Sequence, residues 1–191
     1  GLAFHPVHAD ELWVGSAGTD SVSSVNVSSG AVTRLRDRAR YHYMDEVSAL
    51  AFDDVGQFAT CQESLNTYEG HMVPNFFMGP TLYDARLGLV NSKQQPCAAG
   101  DTCFLIHIDM LHESPLCMGI VHDGGAVTAV DGVPYRNVYW LFDGAHSQLV
   151  RFDFESDHGV GSMDHSRASV RRYLGMALTR VAGVPAGMAV D

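Results

Sequence analysis

Lysine is almost absent. Lys93 is the only one, against eleven arginines and 22 acidic residues, and the formal charge is −10. So acidic a chain repels phosphate backbones, which excludes the ordinary nucleic-acid-binding classes. Long apolar runs are also missing. The longest, Leu116 to Val121 and Val138 to Phe142, fall far short of the roughly 20 residues that a membrane-spanning helix needs. Nothing sustains the 3.6-residue period of a long helix. No Gly-x-Ser-x-Gly elbow is present for a serine nucleophile, and Cys61 in Thr60-Cys61-Gln62-Glu63-Ser64 has no basic neighbour in sequence to activate its thiol. Proline is scarce, with seven residues against 19 glycines; beside nine Phe, seven Tyr and two Trp, that balance suits short strands joined by tight turns. The chain begins at Gly1 rather than Met and opens on no signal-peptide pattern. The expectation is a processed chain or a piece of a longer one.

What is present is a repeat. Glu11-Leu12-Trp13-Val14 returns as Val138-Tyr139-Trp140-Leu141, an offset of 127 residues. At the same offset Val22 falls on Leu149, and Val25-Asn26-Val27 on Phe152-Asp153-Phe154. A second echo opens each unit: Leu2-Ala3-Phe4-His5, Leu50-Ala51-Phe52-Asp53, Ile120-Val121-His122-Asp123 and Met188-Ala189-Val190-Asp191. Such self-similarity marks an architecture whose units cannot bury their apolar faces alone.

Each unit reads as a four-stranded meander. In the first, strands are expected at Leu2 to Phe4, Glu11 to Val14, Ser21 to Val27 and Val32 to Arg36. The second unit carries an insertion from Asn66 to Pro80, an irregular loop from Ser92 to Thr102, and an outer strand from Phe104 to Ile108. The third has a Gly/Asp-rich loop from Asp123 to Asp131. Units of ~40–50 residues built this way are β-propeller blades. The fold expected is therefore all-β: a propeller of about three four-stranded blades plus the first strand of another, forming part of a larger ring. The blades span 1–40, 41–112 and 113–180, with 181–191 opening the next. Three blades leave sheet edges exposed, so the remaining blades are expected from the same or another chain. The competing architecture is an open β-sandwich with accidental internal similarity.

The apolar hairpin followed by Phe152-Asp153-Phe154 resembles the NHL-type blades of six-bladed propellers. Among these, the zinc-dependent peptidyl-hydroxyglycine amidating lyases place zinc histidines at a Pro-His step just before the innermost strands. The matching segment here is Val184-Pro185-Ala186-Gly187-Met188-Ala189-Val190-Asp191, with Ala186 at the histidine position and Ser48 and Met118 at its equivalents. The resemblance thus implies the fold and not the zinc ligands.

Four cysteines permit disulfides. Cys97 and Cys103 flank a short Ala-Ala-Gly-Asp-Thr loop that suits a local bridge, whereas Cys61 and Cys117 sit near expected strands as buried thiols, their pairing left open. With the sequon Asn26-Val27-Ser28, this points to a secreted, extracellular or luminal setting.

The densest group of ligand-type residues is His107-Ile108-Asp109-Met110-Leu111-His112-Glu113. Period two along a strand puts His107 and Asp109 on one face, and aligning blade starts by Asp53 and Asp123 sets His42 on His112. His42, His107, Asp109 and His112 are thus the first candidate site for a divalent metal such as zinc. Ten histidines in the chain will also form such coincidences while serving only as hydrogen-bonded structural groups. Asp157, His158, Asp164 and His165 surround glycines and form the second candidate site, for calcium or a transition metal; an ordinary polar turn has the same composition. Tyr68, His71, Asn75, Phe76 and Phe77, in the inserted loop, are the expected contacts for a protein or glycan partner. Function is accordingly expected to be that of an extracellular interaction or scaffolding module. The alternative is a metal-dependent lyase or hydrolase with its His/Asp site at the propeller channel.

Overall fold

A computed structural model describes residues 1–67, 74–156, 159–161, 167–176, 178–182, 184 and 187–189. Among these the chain is all-β, with one short α-helix, α1 (Arg40–Tyr43), and one 3-10 turn, Ala17–Thr19. Three antiparallel meanders follow one another. Sheet A holds β1 (Leu2–Phe4), β2 (Glu11–Ser16), β3 (Ser21–Asn26) and β4 (Val32–Asp37). Sheet B holds β5 (Val47–Phe52), β6 (Gln57–Gln62), β7 (Thr81–Asp84) and β9 (His107–Met110). Sheet C holds β10 (Cys117–His122), β13 (Val138–Asp143), β14 (Gln148–Asp153) and β15 (Ser169–Tyr173). The sheets are open, and they are not arranged as a ring.

Two places depart from the expected meanders. The outer strand of the second unit is split. β8 (Thr102–Leu105) joins sheet A, parallel to β4, and after Ile106 the chain crosses to sheet B as β9. The expected Gly/Asp loop instead contains a hairpin, β11 (Thr128–Val130) and β12 (Val133–Tyr135). Its two-residue turn, Asp131-Gly132, has φ of 52° and 81°, the left-handed pair that matches strand twist in a tight hairpin.

Sheet B lies between A and C, and its sequence shows why. In β5, Leu50 and Phe52 point to sheet A while Ala49 and Ala51 point to sheet C. The bulky side joins Trp13, Val22 and Leu35 of sheet A with Phe58 and Tyr83 in one core. The small side, with Ala59 and Cys61, receives Ile120, Tyr139, Leu141, Val150 and Phe152 of sheet C in the other. Alternating small and large partners across an interface lets side chains interdigitate at interior density. Both faces being covered, every residue of β6 is buried, and that strand loses the polar alternation of a half-exposed one. Full burial of one such Phe contributes roughly 1.5–3 kcal/mol.

Two cysteine pairs stand at disulfide distance. Cys97 and Cys103, with Cα atoms 5.8 Å apart, form the expected local bridge. Cys61 and Cys117 are not free thiols. They pair at a Cα separation of 5.6 Å, because the end of β6 and the start of β10 meet across the B–C core. No helix among the described residues is long and apolar enough to cross a membrane.

Candidate functional site

The parallel register of β4 with β8 sets Asp37 beside Leu105, two residues before His107. Asp37, buried at the end of β4, accepts three hydrogen bonds. One comes from the Ala39 amide at 2.7 Å, and the His107 backbone N–H and Nδ1–H each donate at 3.0 Å. The imidazole is held in one tautomer and orientation by a buried carboxylate. Its face stacks on Tyr43 at 3.5 Å between ring centroids. His107 Nε2 is buried and has no hydrogen-bond partner among the described residues. Tyr43 is fixed in turn through its carbonyl oxygen, which accepts from the Tyr83 hydroxyl at 2.8 Å and from Gln62 Nε2 at 2.6 Å. Burial, and secondarily the charge of Asp37, pushes the Tyr83 phenol well above its ordinary range, so it donates as a neutral group.

From Tyr43 the aromatic array continues to the surface. His42, its neighbour on α1, lies edge-on to it at 4.7 Å. The His42 and His112 ring centroids are 6.1 Å apart, and Phe77 stacks on both, at 5.9 Å from His42 and 3.8 Å from His112. His112 Nδ1–H donates to the Phe77 carbonyl oxygen at 3.0 Å. Phe76 meets the edge of His146 at 5.3 Å. Phe76 and Phe77 remain 51% and 44% exposed despite these contacts, so the array is a surface and not a plug.

Asn75 braces the loop that carries Phe76 and Phe77. It pairs with Asn66 through backbone bonds of 3.0 and 3.2 Å, and its Oδ1 accepts from Asn66 Nδ2 at 3.1 Å and from the Phe77 amide at 3.0 Å. Gly79 then lets the returning strand pass residue 111, since a Cβ there would overlap the Leu111 carbonyl oxygen. Asn75, itself exposed, thus also positions the loop.

The expected pairing of His107 with Asp109 on one face does not form. His107 is opposite Tyr83 and Asp109 opposite Leu82, with Ile108 as an extra residue at a register shift. Cross-strand partners share a face. Tyr83 belongs to the A–B core and Leu82 to the B–C core, so the bulge sends His107 and Asp109 to opposite sides. Asp109 is fully buried, with Oδ1 accepting the Met110 amide at 2.7 Å. Tyr68, His71, Asp157, His158, Asp164 and His165 lie outside the described residues. Among the described residues, no group of three or more His, Cys, Asp or Glu side chains is placed to hold a metal ion.

Sequence reasoning missed Asp37 and a second carboxylate–imidazole pair. Buried Asp143 accepts from His146 Nδ1 at 2.7 Å and from Arg172 Nη1 at 2.8 Å. The Asp143-x-x-His146 spacing, which closes a turn, was the available signal for the latter. Asp37 lies 70 residues from its partner and has no motif.

Two hollows flank the sheets. One of about 290 Å³ is lined by Gly15, Val47, Ser48, Met118 and the Arg180–Glu63 ion pair. It thus includes Ser48 and Met118, which stand at the positions equivalent to the lyase zinc histidines. Ser48 Oγ is committed to the backbone, at 3.1 Å from the Cys61 carbonyl oxygen and 3.0 Å from that of Cys117. The other, about 420 Å³, lies between His5, His8, Glu11 and Trp13 on one side and Leu87 and Leu89 on the other.

No family model matches the chain, and no curated protein matches it. Among solved structures it is similar to a chain of the Chaetomium thermophilum polycomb repressive complex 2, at 13% identity and a TM-score of 0.44. The match covers 97% of this chain and 35% of that one, so this chain spans about a third of its length.

Proposed function

We propose that the chain is a run of β-propeller blades that binds an extracellular protein or glycan through the aromatic–imidazole surface of Phe76, Phe77, His42, His112 and His146. The observation that carries this reading is convergence. Side chains from α1, from the β6–β7 insertion, from the segment after β9 and from the β13–β14 turn meet in one stacked, exposed array. Exposed aromatics on a fixed base supply contact area at little entropic cost, and imidazoles beside them supply donors and acceptors. The two cysteine pairs at disulfide distance suit an extracellular setting.

The test is binding of the chain to immobilised panels of glycans and extracellular protein domains, alongside the double variant Phe76→Ala/Phe77→Ala. Loss of two central aromatics is expected to weaken binding about 30-fold or more, with circular dichroism unchanged. Binding indifferent to the double variant would place the contact elsewhere and sink the proposal.

A second reading, a metal-dependent lyase or hydrolase, draws on the 6.1 Å separation of the His42 and His112 rings. Elemental mass spectrometry of protein purified without chelators separates the two. Near-stoichiometric zinc that is lost in His112→Ala favours the enzyme, and its absence favours the binding module.

A further inference from the structure

Sheet A carries an apolar face turned away from sheet B. Cross-strand register aligns Phe4, Leu12, Val25 and Val32 in one row, and the next runs from Leu2 and Val14 to Ser23 and Arg34. Leu2 is 66% and Phe4 58% exposed. A contiguous apolar sheet face of this kind marks an interaction site.

The repeat says what such a face receives. Leu2-Ala3-Phe4 matches Leu50-Ala51-Phe52, and Leu12 is paired to Phe4 as Phe58 is to Phe52. In sheet B, Phe52 and Phe58 receive Trp13 of sheet A, with ring centroids 5.4 and 5.1 Å away. Trp13, Val22 and Leu35 together form the face that sheet A presses onto sheet B, and all three are buried.

Sheet C presents the counterpart of that trio, with Arg151 and Arg171 beside Trp140 where sheet A has Ser24 and Thr33 beside Trp13. Trp140 and Leu149 stand at the repeat positions of Trp13 and Val22. Tyr173 faces Leu149 across β14–β15 as Leu35 faces Val22 across β3–β4. Trp140 and Tyr173 lie against each other at 5.3 Å between centroids. Trp140, Leu149 and Tyr173 are only partly buried.

We infer that the outer face of sheet A binds the outer face of sheet C of a second copy, with Trp140 seated against Phe4 as Trp13 is seated against Phe52. The contact is head-to-tail, so it extends to a ring or an open chain of copies rather than a closed two-fold dimer. It rests on the blade-like stacking proposed above, while the aromatic–imidazole surface stays free, so the two can fail separately.

Analytical ultracentrifugation of wild type, Phe4→Glu, Trp140→Glu and an equimolar mixture of the two variants tests it. Wild type is expected to associate with rising concentration and each variant to be monomeric. The mixture should give a one-to-one dimer, because Phe4→Glu retains the sheet C face and Trp140→Glu retains the sheet A face. The mixture also answers misfolding, since two unfolded variants cannot restore a defined dimer. A wild-type chain that stays monomeric at its highest soluble concentration overturns the inference, and so do variants that associate as wild type does. A mixture that remains monomeric overturns it as well.

Discussion

His5 is the residue where burial and charge are most directly in tension. Its Nδ1 accepts the amide N–H groups of Val7 and His8 at 3.1 and 3.2 Å, and its ring packs beside Phe52 and Trp13. Burial first, and His8 second, hold its pKa below the ordinary 6.5, with Glu11 and Asp53 opposing them. The unfolded chain then takes up a proton that the folded chain resists. Stability tied to neutral His5 is whole above the unfolded pKa and falls as pH drops through it toward the lower folded value. The thermal midpoint is expected to fall between about pH 7 and about pH 5.5, and the drop should shrink in His5→Gln, whose amide oxygen can still accept an N–H. An equal drop in the variant would assign the titration to another group. Asp45 and Glu46 work in the opposite sense. Burial raises both, so their contribution is present at low pH and is lost as pH rises through their folded values.

Residue-level legibility in the sequence divides along the same line between local and distant partners. The repeat alignment set His42 on His112 from sequence alone, because quasi-equivalent positions keep their place relative to the strands. Asp37 was invisible, since its role depends on a parallel strand pairing that no nearby residue encodes. Asp109 was misplaced because one inserted residue, Ile108, reverses a period-two pattern without leaving a mark in composition.

Among elements, the two bridges do different work. Cys97–Cys103 closes a separation of 6 residues within one segment, while Cys61–Cys117 spans 56 residues and joins sheet B to sheet C. Loop-closure entropy puts the longer bridge at about 4 kcal/mol and the shorter at about 2 kcal/mol. Urea unfolding of Cys61→Ala/Cys117→Ala and of Cys97→Ala/Cys103→Ala is expected to rank them in that order. The reverse order would mean that the long bridge strains the B–C contact instead of securing it. The first meander was readable strand by strand, since its alternation is clean and its turns are short. The Asp131-Gly132 hairpin was also signalled, by a dipeptide suited to that turn between β-branched residues. The split at Ile106 was not, because both halves are equally good strands and only the distribution of sheet edges decides where each one pairs.

At the scale of the whole molecule, composition and stacking pull against each other. A formal charge of −10 makes any two copies repel, while the outer faces of sheets A and C offer apolar area to one another. Repulsion between like-charged surfaces is screened by salt, and apolar contact is not. Self-association is therefore expected to strengthen between roughly 0.01 and 0.15 M salt, over which the Debye length falls from about 30 to about 8 Å. Association that weakens over that range would point to an ion-paired interface. Such an outcome would disagree with the faces described.

The crossing at Ile106 has one more consequence. Residues 102 to 110 lend one strand to sheet A and the next to sheet B, so neither sheet is a cassette with its own beginning and end. Excising β1 to β4 alone would leave β8 without its neighbour, and taking residues 102 to 110 with them would strip sheet B of its edge strand β9. Sheet C is built wholly from later residues, but the Cys61–Cys117 pair and the B–C core tie it to sheet B. The smallest self-contained unit on the N-terminal side is therefore the pair of sheets A and B.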